Sequence, residues 1–420
     1  MNKAVASFTA ACAASMLAAT ANAAVELADV TVSQGTGADP SAVTVSYSLS
    51  NGGEPAYVTL DVLTNGVSVG FDHIKTARGD ISQLDAHLVA DDGAAKSIVW
   101  PMRKDWPDQL LPDATVRLQA WYTNAIPPMY LVVDLSGGTA AESFPYRYTS
   151  TAPDLASSTC RTTELWLRQC PAGSFTMGTT ITDSNRNYVH PATLTNSFWC
   201  GVFEVTKAQY ALVMGDAAAS AAAVTVSDGN PDGVYPMNNM SATDLRGAGS
   251  SYYGWATDNV ADGSFFGVLR AKTGLAFDLP TETQWEYACR AGSTGEFCDP
   301  AIPSTGSGLG DYAWYSSNAN DHTRPVGTKA PNAWGLYDVH GNVYEACLDA
   351  FQDNGSRVAT TNFVASNFLG GNKYNIVRGG CYNVNQVACA CGTKVQRFTS
   401  NDTGDGSIGF RVWLTIGKWR

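Results

Sequence analysis

The sequence predicts two domains of different class: an all-β sandwich at residues 24–145, and an α+β domain with much irregular structure at residues 165–420. Three observations favour this division. The first region alternates apolar and polar residues with a period of two, which is the pattern of half-buried strands. The clear helix patterns occur in the second region, where they are short and separated by turn-rich stretches. The chain contains 40 glycines, and 15% of its residues are charged, a composition typical of turns rather than of long helices.

The chain begins with a segment typical of a secretory signal peptide, residues 1–23. Lys3 supplies the positive start, an alanine-rich apolar stretch follows, and Ala21-Asn22-Ala23 matches a signal cleavage site. The alternative interpretation is a short core helix. We expect an exported protein that is secreted, periplasmic or held at the cell surface. No later stretch approaches the roughly 18 consecutive apolar residues of a transmembrane helix, so the sequence predicts no membrane span.

The strands predicted for the first domain are short and follow one another closely. Examples are Ala42–Leu49, Tyr57–Leu63 and Ala114–Tyr122. Short strands at such spacing indicate an antiparallel β-sandwich of immunoglobulin or fibronectin type. This domain contains no cysteine, so it lacks the inter-sheet disulfide of many such sandwiches. Residues 146–164, which are rich in Ser, Thr and Ala, are predicted to be a linker.

The second domain carries three helix-start signals. Thr206 can cap a helix over Lys207–Met214, and Ser241 can cap a shorter one. Thr281 and Gln284 have the spacing of a capping box, in which each side chain binds the other residue's backbone amide. The rest of the domain is predicted to consist of loops and short strands.

The net charge of −12 bears on the choice of partner. An acidic surface repels the phosphates of nucleic acids and of anionic membranes. We therefore expect no nucleic-acid partner.

The cysteines are concentrated beyond residue 150 of the chain. Nine of them lie beyond residue 150: Cys160, Cys170, Cys200, Cys289, Cys298, Cys347, Cys381, Cys389 and Cys391. In an exported protein this density predicts a partial disulfide framework. The pairing cannot be read from the sequence, and an odd number leaves at least one thiol free or intermolecular.

Four short phrases occur in a fixed order along the second domain. They are Pro171–Gly178, Leu279–Gly292, Trp334–Glu345, and Arg378–Cys381 completed by Gly409–Trp413. In order and internal spacing they resemble the formylglycine-generating enzyme, or sulfatase-modifying factor, family over about residues 165–416. The resemblance implies a C-type-lectin-like α+β fold with little regular secondary structure.

The third phrase contains the best candidate for a metal site. Two carboxylates, Asp338 and Glu345, flank a Gly-Asn turn that can aim backbone carbonyls inward. Calcium takes six to eight oxygen ligands from such mixed sources. The resemblance implies a calcium site in which Asp338 and Glu345 supply side-chain oxygens and Gly341 and Val343 supply carbonyls. The alternative is a turn with solvated acids.

The fourth phrase is where the resemblance places catalysis. It implies two cysteine thiolates that bind copper(I), for which soft sulfur ligands are suited. The first of these positions is Val384 in this chain, and the second is Cys389. Cys381, Tyr344 and Ser407 stand at further positions that resemble the family's catalytic segment. The alternative for Cys381, Cys389 and Cys391 is disulfide bonding, with Cys289, Cys298 and Cys347 as candidate partners.

Two functions remain open at this point. The first is an exported binding or scaffold module with a protein or glycan ligand outside the cytoplasm, because Val384 breaks the cysteine pair. Surface variation for ligand binding would fall in residues 382–407. The second is a copper-dependent oxidoreductase that converts a cysteine of a sulfatase polypeptide to formylglycine.

Overall fold

The computed structural model describes most of the chain and divides it into two compact units. One unit comprises residues 1–130 with 147–152, and the other comprises residues 131–146 with 153–420. The described residues are 9–12, 25–35, 41–64, 67–68, 74–82, 87–105, 114–121, 129–181, 188–222, 233–247, 260–351, 359–362, 375–396 and 406–415. The predicted signal segment lies outside them except for Thr9–Cys12, which forms a strand.

The first unit consists almost entirely of strands. They are β1 (Thr9–Cys12), β2 (Glu26–Gln34), β3 (Ala42–Ser50), β4 (Tyr57–Thr64), β5 (Val67–Ser68), β6 (Arg78–Gly79), β7 (Lys96–Pro101) and β8 (Ala114–Trp121), with one helical turn, α1 (Met102–Asp105). They form two four-stranded sheets, ordered β1-β8-β4-β5 and β2-β3-β7-β6. All pairs are antiparallel except β1 with β8.

The period-two pattern of the sequence becomes alternating burial in these strands. Every second residue of β3 and of β8 is buried. Val45 of one sheet and Leu118 of the other are fully buried in the same hydrophobic core. Two sheets with one shared core follow directly from strands that are apolar on one face. The immunoglobulin or fibronectin type remains a prediction.

The second unit combines short strands and short helices with much irregular structure. Its strands are β9 (Tyr130–Asp134), β10 (Tyr146–Thr149, at the division between the units), β11 (Glu164–Cys170), β12 (Gly173–Met177), β13 (His190–Leu194), β14 (Phe198–Gly201), β15 (Phe277–Asp278), β16 (Tyr344–Ala350), β17 (Thr360–Thr361), β18 (Asn375–Arg378), β19 (Lys394–Gln396), β20 (Ile408–Gly409) and β21 (Trp413–Thr415). One sheet includes β9-β11-β14-β21-β15 in this order, and the others are β12-β13-β17 and β19-β18-β16-β20.

The helices of this unit are few and short. They are α2 (Thr159–Thr162), α3 (Lys207–Met214), α4 (Asp216–Ala222), α5 (Ala242–Arg246), α6 (Phe265–Thr273) and α7 (Glu282–Arg290). Thr206, Ser241 and Thr281 each cap a helix through a capping box, which confirms the three predicted starts. Within the described residues no helix is long and apolar enough to cross a membrane.

The predicted linker, residues 146–164, contains β10 and α2. Its polar residues form turns: Asp154 accepts a hydrogen bond from the amide of Ala156, and Ser157 accepts one from the amide of Thr159. Asp and Ser suit tight turns because their side chains bind nearby amides. A composition typical of linkers therefore also fits this ordered segment.

Buried ion pairs join three of the four phrases. Arg378 donates to Glu282 at 2.9 Å and to Glu286 at 2.8 Å, and all three side chains are fully or almost fully buried. The other oxygen of Glu286 accepts from the amide of Gly178 at 2.6 Å. The residues that define these phrases thus hold α7, β18 and the end of β12 together.

Candidate functional site

The predicted calcium turn lies just before β16, and its first carboxylate, Asp338, is buried. Asp338 Oδ2 accepts a hydrogen bond from the amide of Gly327 at 2.7 Å. Asp338 Oδ1 is buried and finds no hydrogen-bond partner in the described part of the chain. Burial raises the pKa of Asp338 to about 6 despite the Gly327 amide and Arg411, which both act to lower it. Asp338 is thus a buried acid with one oxygen available.

The turn itself needs its glycine. Gly341 has a φ of +77°, and a Cβ atom there would lie 2.1 Å from the carbonyl oxygen of Trp314. Asn342 follows at a φ of +55°, and its backbone amide donates a hydrogen bond to Trp314 O at 2.7 Å. The Gly-Asn pair therefore sets the direction in which the chain enters β16.

The second predicted carboxylate, Glu345, is already neutralised. Arg411 Nη2 donates to its Oε1 at 2.7 Å, and Arg411 Nε donates to its Oε2 at 3.0 Å. Trp285 Nε1 donates to the same Oε2 at 2.9 Å. Both side chains of the ion pair are 1% exposed. Both oxygens of Glu345 are therefore used in a buried, charge-assisted arrangement.

A third acid at this place, Glu204, was not anticipated from the sequence. Its carboxylate accepts from Asn342 Nδ2 at 2.6 Å and from the amide of Val343 at 3.1 Å. Burial raises the pKa of Glu204 well above its usual value, and Asp338 and Glu345 add to the shift. The one signal in the sequence was an acid inside the apolar run Val202–Val205.

The predicted four-residue ligand set does not fit a calcium ion in this arrangement. Asp338 offers a free buried oxygen, as a cation ligand should. Glu345, however, would have to give up two hydrogen bonds to Arg411, and the guanidinium would then lie beside the cation. Like charges in a buried site repel each other strongly. No step of any reaction is therefore assigned to calcium.

Cys381 and Cys389 of the predicted catalytic segment are buried as well. Val384 packs against an apolar cluster that includes Cys389. Burial raises the pKa of Cys389, and the neighbouring Cys381 raises it further, although two backbone amides oppose them. The Cys381 thiol donates to Asn383 Oδ1 at 3.0 Å. The structure brings Cys381 and Cys389 together.

Tyr344 and Ser407 meet on the other side of β16. The amide of Tyr344 donates to the carbonyl of Ser407 at 2.8 Å, next to the parallel pairing of β16 with β20. Their exposed fractions are 3% and 1%. Both side chains are therefore part of the packed interior.

The nine cysteines of the second unit are all buried, and none of them forms a disulfide bond. The predicted disulfide framework is therefore not seen among the described residues. Two of the thiols nevertheless lie close together: the sulfur atoms of Cys289 and Cys391 are 3.3 Å apart. Burial acts to raise the pKa of Cys391, but hydrogen bonds with Cys289 and His340 outweigh it and lower this pKa to about 5. The sequence offers Cys289 as one candidate partner of Cys391, but it does not single out this pair, because the two residues are 102 positions apart.

The cavities lie elsewhere. A groove of about 460 Å³ is bordered by the 3₁₀ turn at residues 138–140, by α2 and by α3. Thr139, Thr163, Leu212 and Asp216 are among its lining residues. None of the predicted site residues lines it.

Comparison with known proteins identifies the family. A sequence model described as "Sulfatase-modifying factor enzyme 1-like domain" matches residues 154–416. The match covers well over half of the chain, so the protein belongs to the sulfatase-modifying factor family. This result confirms the resemblance inferred from the four phrases.

Individual relatives are distant. The formylglycine-generating enzyme of Streptomyces coelicolor is 30% identical over 143 residues, which is 32% of this chain and 45% of that enzyme. The formylglycine-generating enzyme of Mus musculus is 30% identical over 146 residues, which is 32% of this chain and 38% of that enzyme. The chain thus spans less than half the length of these two curated relatives. A solved structure, Treponema denticola variable protein 1, is 24% identical, with a TM-score of 0.45 over 60% of this chain and 95% of that one.

Proposed function

We propose that this protein is an exported, non-catalytic member of the sulfatase-modifying factor family that serves as a binding or scaffold module. The observation that carries the proposal is the pair of positions 384 and 389. Val384 packs against the apolar cluster that contains Cys389, and burial keeps the Cys389 thiol protonated. The thiolate is the form of cysteine that binds metals and reacts as a nucleophile. The Cys389 thiol, buried and neutral, supports neither role.

The fold of the second unit is well suited to support a ligand-binding surface. The buried ion pairs of Arg378 and Arg411 tie the sequence phrases into one scaffold. The groove beside α3 has a volume within the usual range of ligand sites. In the described part of the predicted variable segment, residues 389–393 are buried, whereas residues 382–388 are half-buried or exposed. The groove has a defined volume, and we propose it as the ligand site.

The ligand is proposed to be a protein or a glycan outside the cytoplasm. A sulfatase polypeptide is one candidate, because the family acts on sulfatases. The groove offers threonine hydroxyls and the carboxylate of Asp216 beside the apolar Leu212. Such a mixture can bind either polypeptide or sugar hydroxyls.

Array binding with a blocked groove tests the proposal. The full chain is applied to glycan and sulfatase-peptide arrays, and each hit is measured by calorimetry. Leu212→Arg should abolish binding by filling the groove. Val189→Arg is the matched control, because Val189 is an exposed apolar residue, 49% accessible, that does not line the groove. The absence of any micromolar binder, or equal binding by both variants, would contradict this proposal.

A further inference from the structure

Two cysteines that are far apart in the sequence meet in the interior of the second unit. Cys289 lies near the end of α7, and Cys391 follows the 3₁₀ turn at Gln386–Cys389. Their sulfur atoms are 3.3 Å apart, and their exposed fractions are 1% and 0%. The sulfurs of a disulfide bond are about 2.05 Å apart, so each of these two would have to move by roughly 0.6 Å. Small side-chain rotations are enough to join them.

The backbone holds this contact in place from both sides. The amide of Cys391 donates to the carbonyl of Glu296 at 2.9 Å, and its carbonyl accepts from Arg378 Nη1 at 2.7 Å. The carbonyl of Cys289 accepts from Asn332 Nδ2 at 3.1 Å. A cross-link stabilises a fold best where it does not distort the native geometry. The fold already places the two sulfurs for such a cross-link.

The neighbouring imidazole of His340 is engaged by the backbone. The Cys298 amide donates to its Nε2 at 3.1 Å, and its Nδ1 lies 2.8 Å from the carbonyl oxygen of Cys389. With both ring nitrogens in use, the ring does not complete a metal site with the two sulfurs. Oxidation to a disulfide is then the chemistry that the pair of thiols can undergo.

We propose that Cys289 and Cys391 form a structural disulfide bond in the exported protein. The proposal rests on the export that is part of the proposed function, because structural disulfides persist in oxidising compartments and are rare in the cytosol. Two S–H bonds break and one S–S bond forms, while two electrons and two protons pass to a disulfide oxidant, which leaves as two thiols. Three partners were open to Cys391 from the sequence, and the 3.3 Å contact selects Cys289.

The bond would join two of the four phrases. Cys289 belongs to the phrase Leu279–Gly292, and Cys391 follows the phrase that begins at Arg378. Cys389 lies two residues before Cys391, and a Cβ atom on Gly380 would lie only 2.4 Å from the Cys389 sulfur. The disulfide therefore anchors to α7 the tightly packed segment that carries Cys389.

Refolding of the full chain tests the pairing. Because both sulfurs are buried in the folded protein, the oxidant must be present while the chain folds. The reduced, unfolded chain is refolded in a mixture of reduced and oxidised glutathione, its remaining thiols are alkylated, and a non-reducing digest is analysed by mass spectrometry. We expect a peptide in which Cys289 is cross-linked to Cys391.

Two variants give this assay its controls. The cross-linked peptide should be absent from Cys391→Ser and retained in Cys347→Ser, because Cys347 is an equally buried thiol that lies beside the carbonyl of Glu345 at 3.9 Å. Alkylation of both Cys289 and Cys391 in most refolded chains would overturn the proposal. A cross-link from either of them to another cysteine would do the same. The digest of the parent chain is decisive even where Cys391→Ser does not fold.

Hydrogen exchange measures the structural effect of the bond on the unaltered chain. A disulfide typically shifts the folding equilibrium by about 30- to 1000-fold, so exchange in peptides of α7 should accelerate by a factor in this range after reduction. Peptides of the first domain, which contains no cysteine, should exchange at an unchanged rate. Equal exchange of α7 before and after reduction would refute the structural role. Leu212→Arg should lose the groove's ligand but keep the cross-link, which separates a failure of the proposed function from a failure of this pairing.

Discussion

The buried pair of Glu345 and Arg411 should be a principal support of the second unit, and Glu345→Gln tests this directly. The substitution keeps the side-chain volume but removes the charge. Arg411 then remains 1% exposed without its counter-charge, and one former acceptor oxygen becomes an amide that faces the guanidinium. Breaking a buried ion pair from one side costs about 3–5 kcal/mol. The loss should fall locally on β16 and β21, which carry or adjoin the two residues.

Hydrogen exchange is the appropriate assay, because a chain of two compact units need not unfold in a two-state manner. A loss of about 3 kcal/mol should accelerate exchange in peptides of β16 and β21 by at least about 100-fold. Strands of the first unit serve as an internal control and should exchange at the parent rate. A cycle with Arg411→Met should show a coupling of about 2 kcal/mol between the two sites. Acceleration of less than about tenfold, or costs that simply add, would refute the structural role of the pair.

Three further predictions concern the turn before β16. Burial raises the pKa of Asp338 from 3.8 to about 6, so between these pH values the folded state binds more protons than the unfolded state. The stability should therefore fall as the pH rises from about 4 to 6. Thermal melts of Asp338→Asn should lose this pH dependence, and an unchanged pH dependence would assign it to another group. Calcium added to chelator-treated protein should leave the melting temperature unchanged, because Arg411 already neutralises Glu345; a concentration-dependent rise would show that calcium displaces the guanidinium. Gly341→Ala should lower the free energy of unfolding by at least about 2 kcal/mol in chemical denaturation, since the new Cβ would lie 2.1 Å from Trp314 O. Gly274→Ala is the control, because Gly274 also has a positive φ but has no atom within 4 Å of the added Cβ. It should cost about 1 kcal/mol.

Features encoded locally could be predicted from the sequence. Thr281 and Gln284 are three residues apart, and their reciprocal hydrogen bonds form as the spacing predicts. The helix that they start, α7, ends at Arg290, and Ala291 takes the left-handed conformation as its cap. Helix α6 was missed, although Ser264 caps it through the amide of Gly267.

The features that depend on tertiary contacts could not be predicted. Glu345 has the residue type of a metal ligand, but its partner Arg411 is 66 residues away. No local sequence pattern indicates that a guanidinium, rather than a metal ion, neutralises the carboxylate. The cluster of Cys289 and Cys391 forms for the same kind of reason, because α7 and the segment after β18 meet only in the folded unit. The number of cysteines is known from the sequence, but which of them come into contact is not.

The central claim is that this chain keeps the family's fold without its chemistry, and one assay tests that claim most directly. The full protein is incubated with copper(I), oxygen and a Cys-x-Pro-x-Arg peptide, and the peptide is analysed by mass spectrometry. The Streptomyces coelicolor enzyme serves as the positive control. The variant Val384→Cys tests whether a thiol at position 384, in addition to Cys389, is sufficient for copper binding. We expect no conversion by the parent chain above the protein-free background. Copper-dependent formation of the aldehyde by the parent would contradict the account.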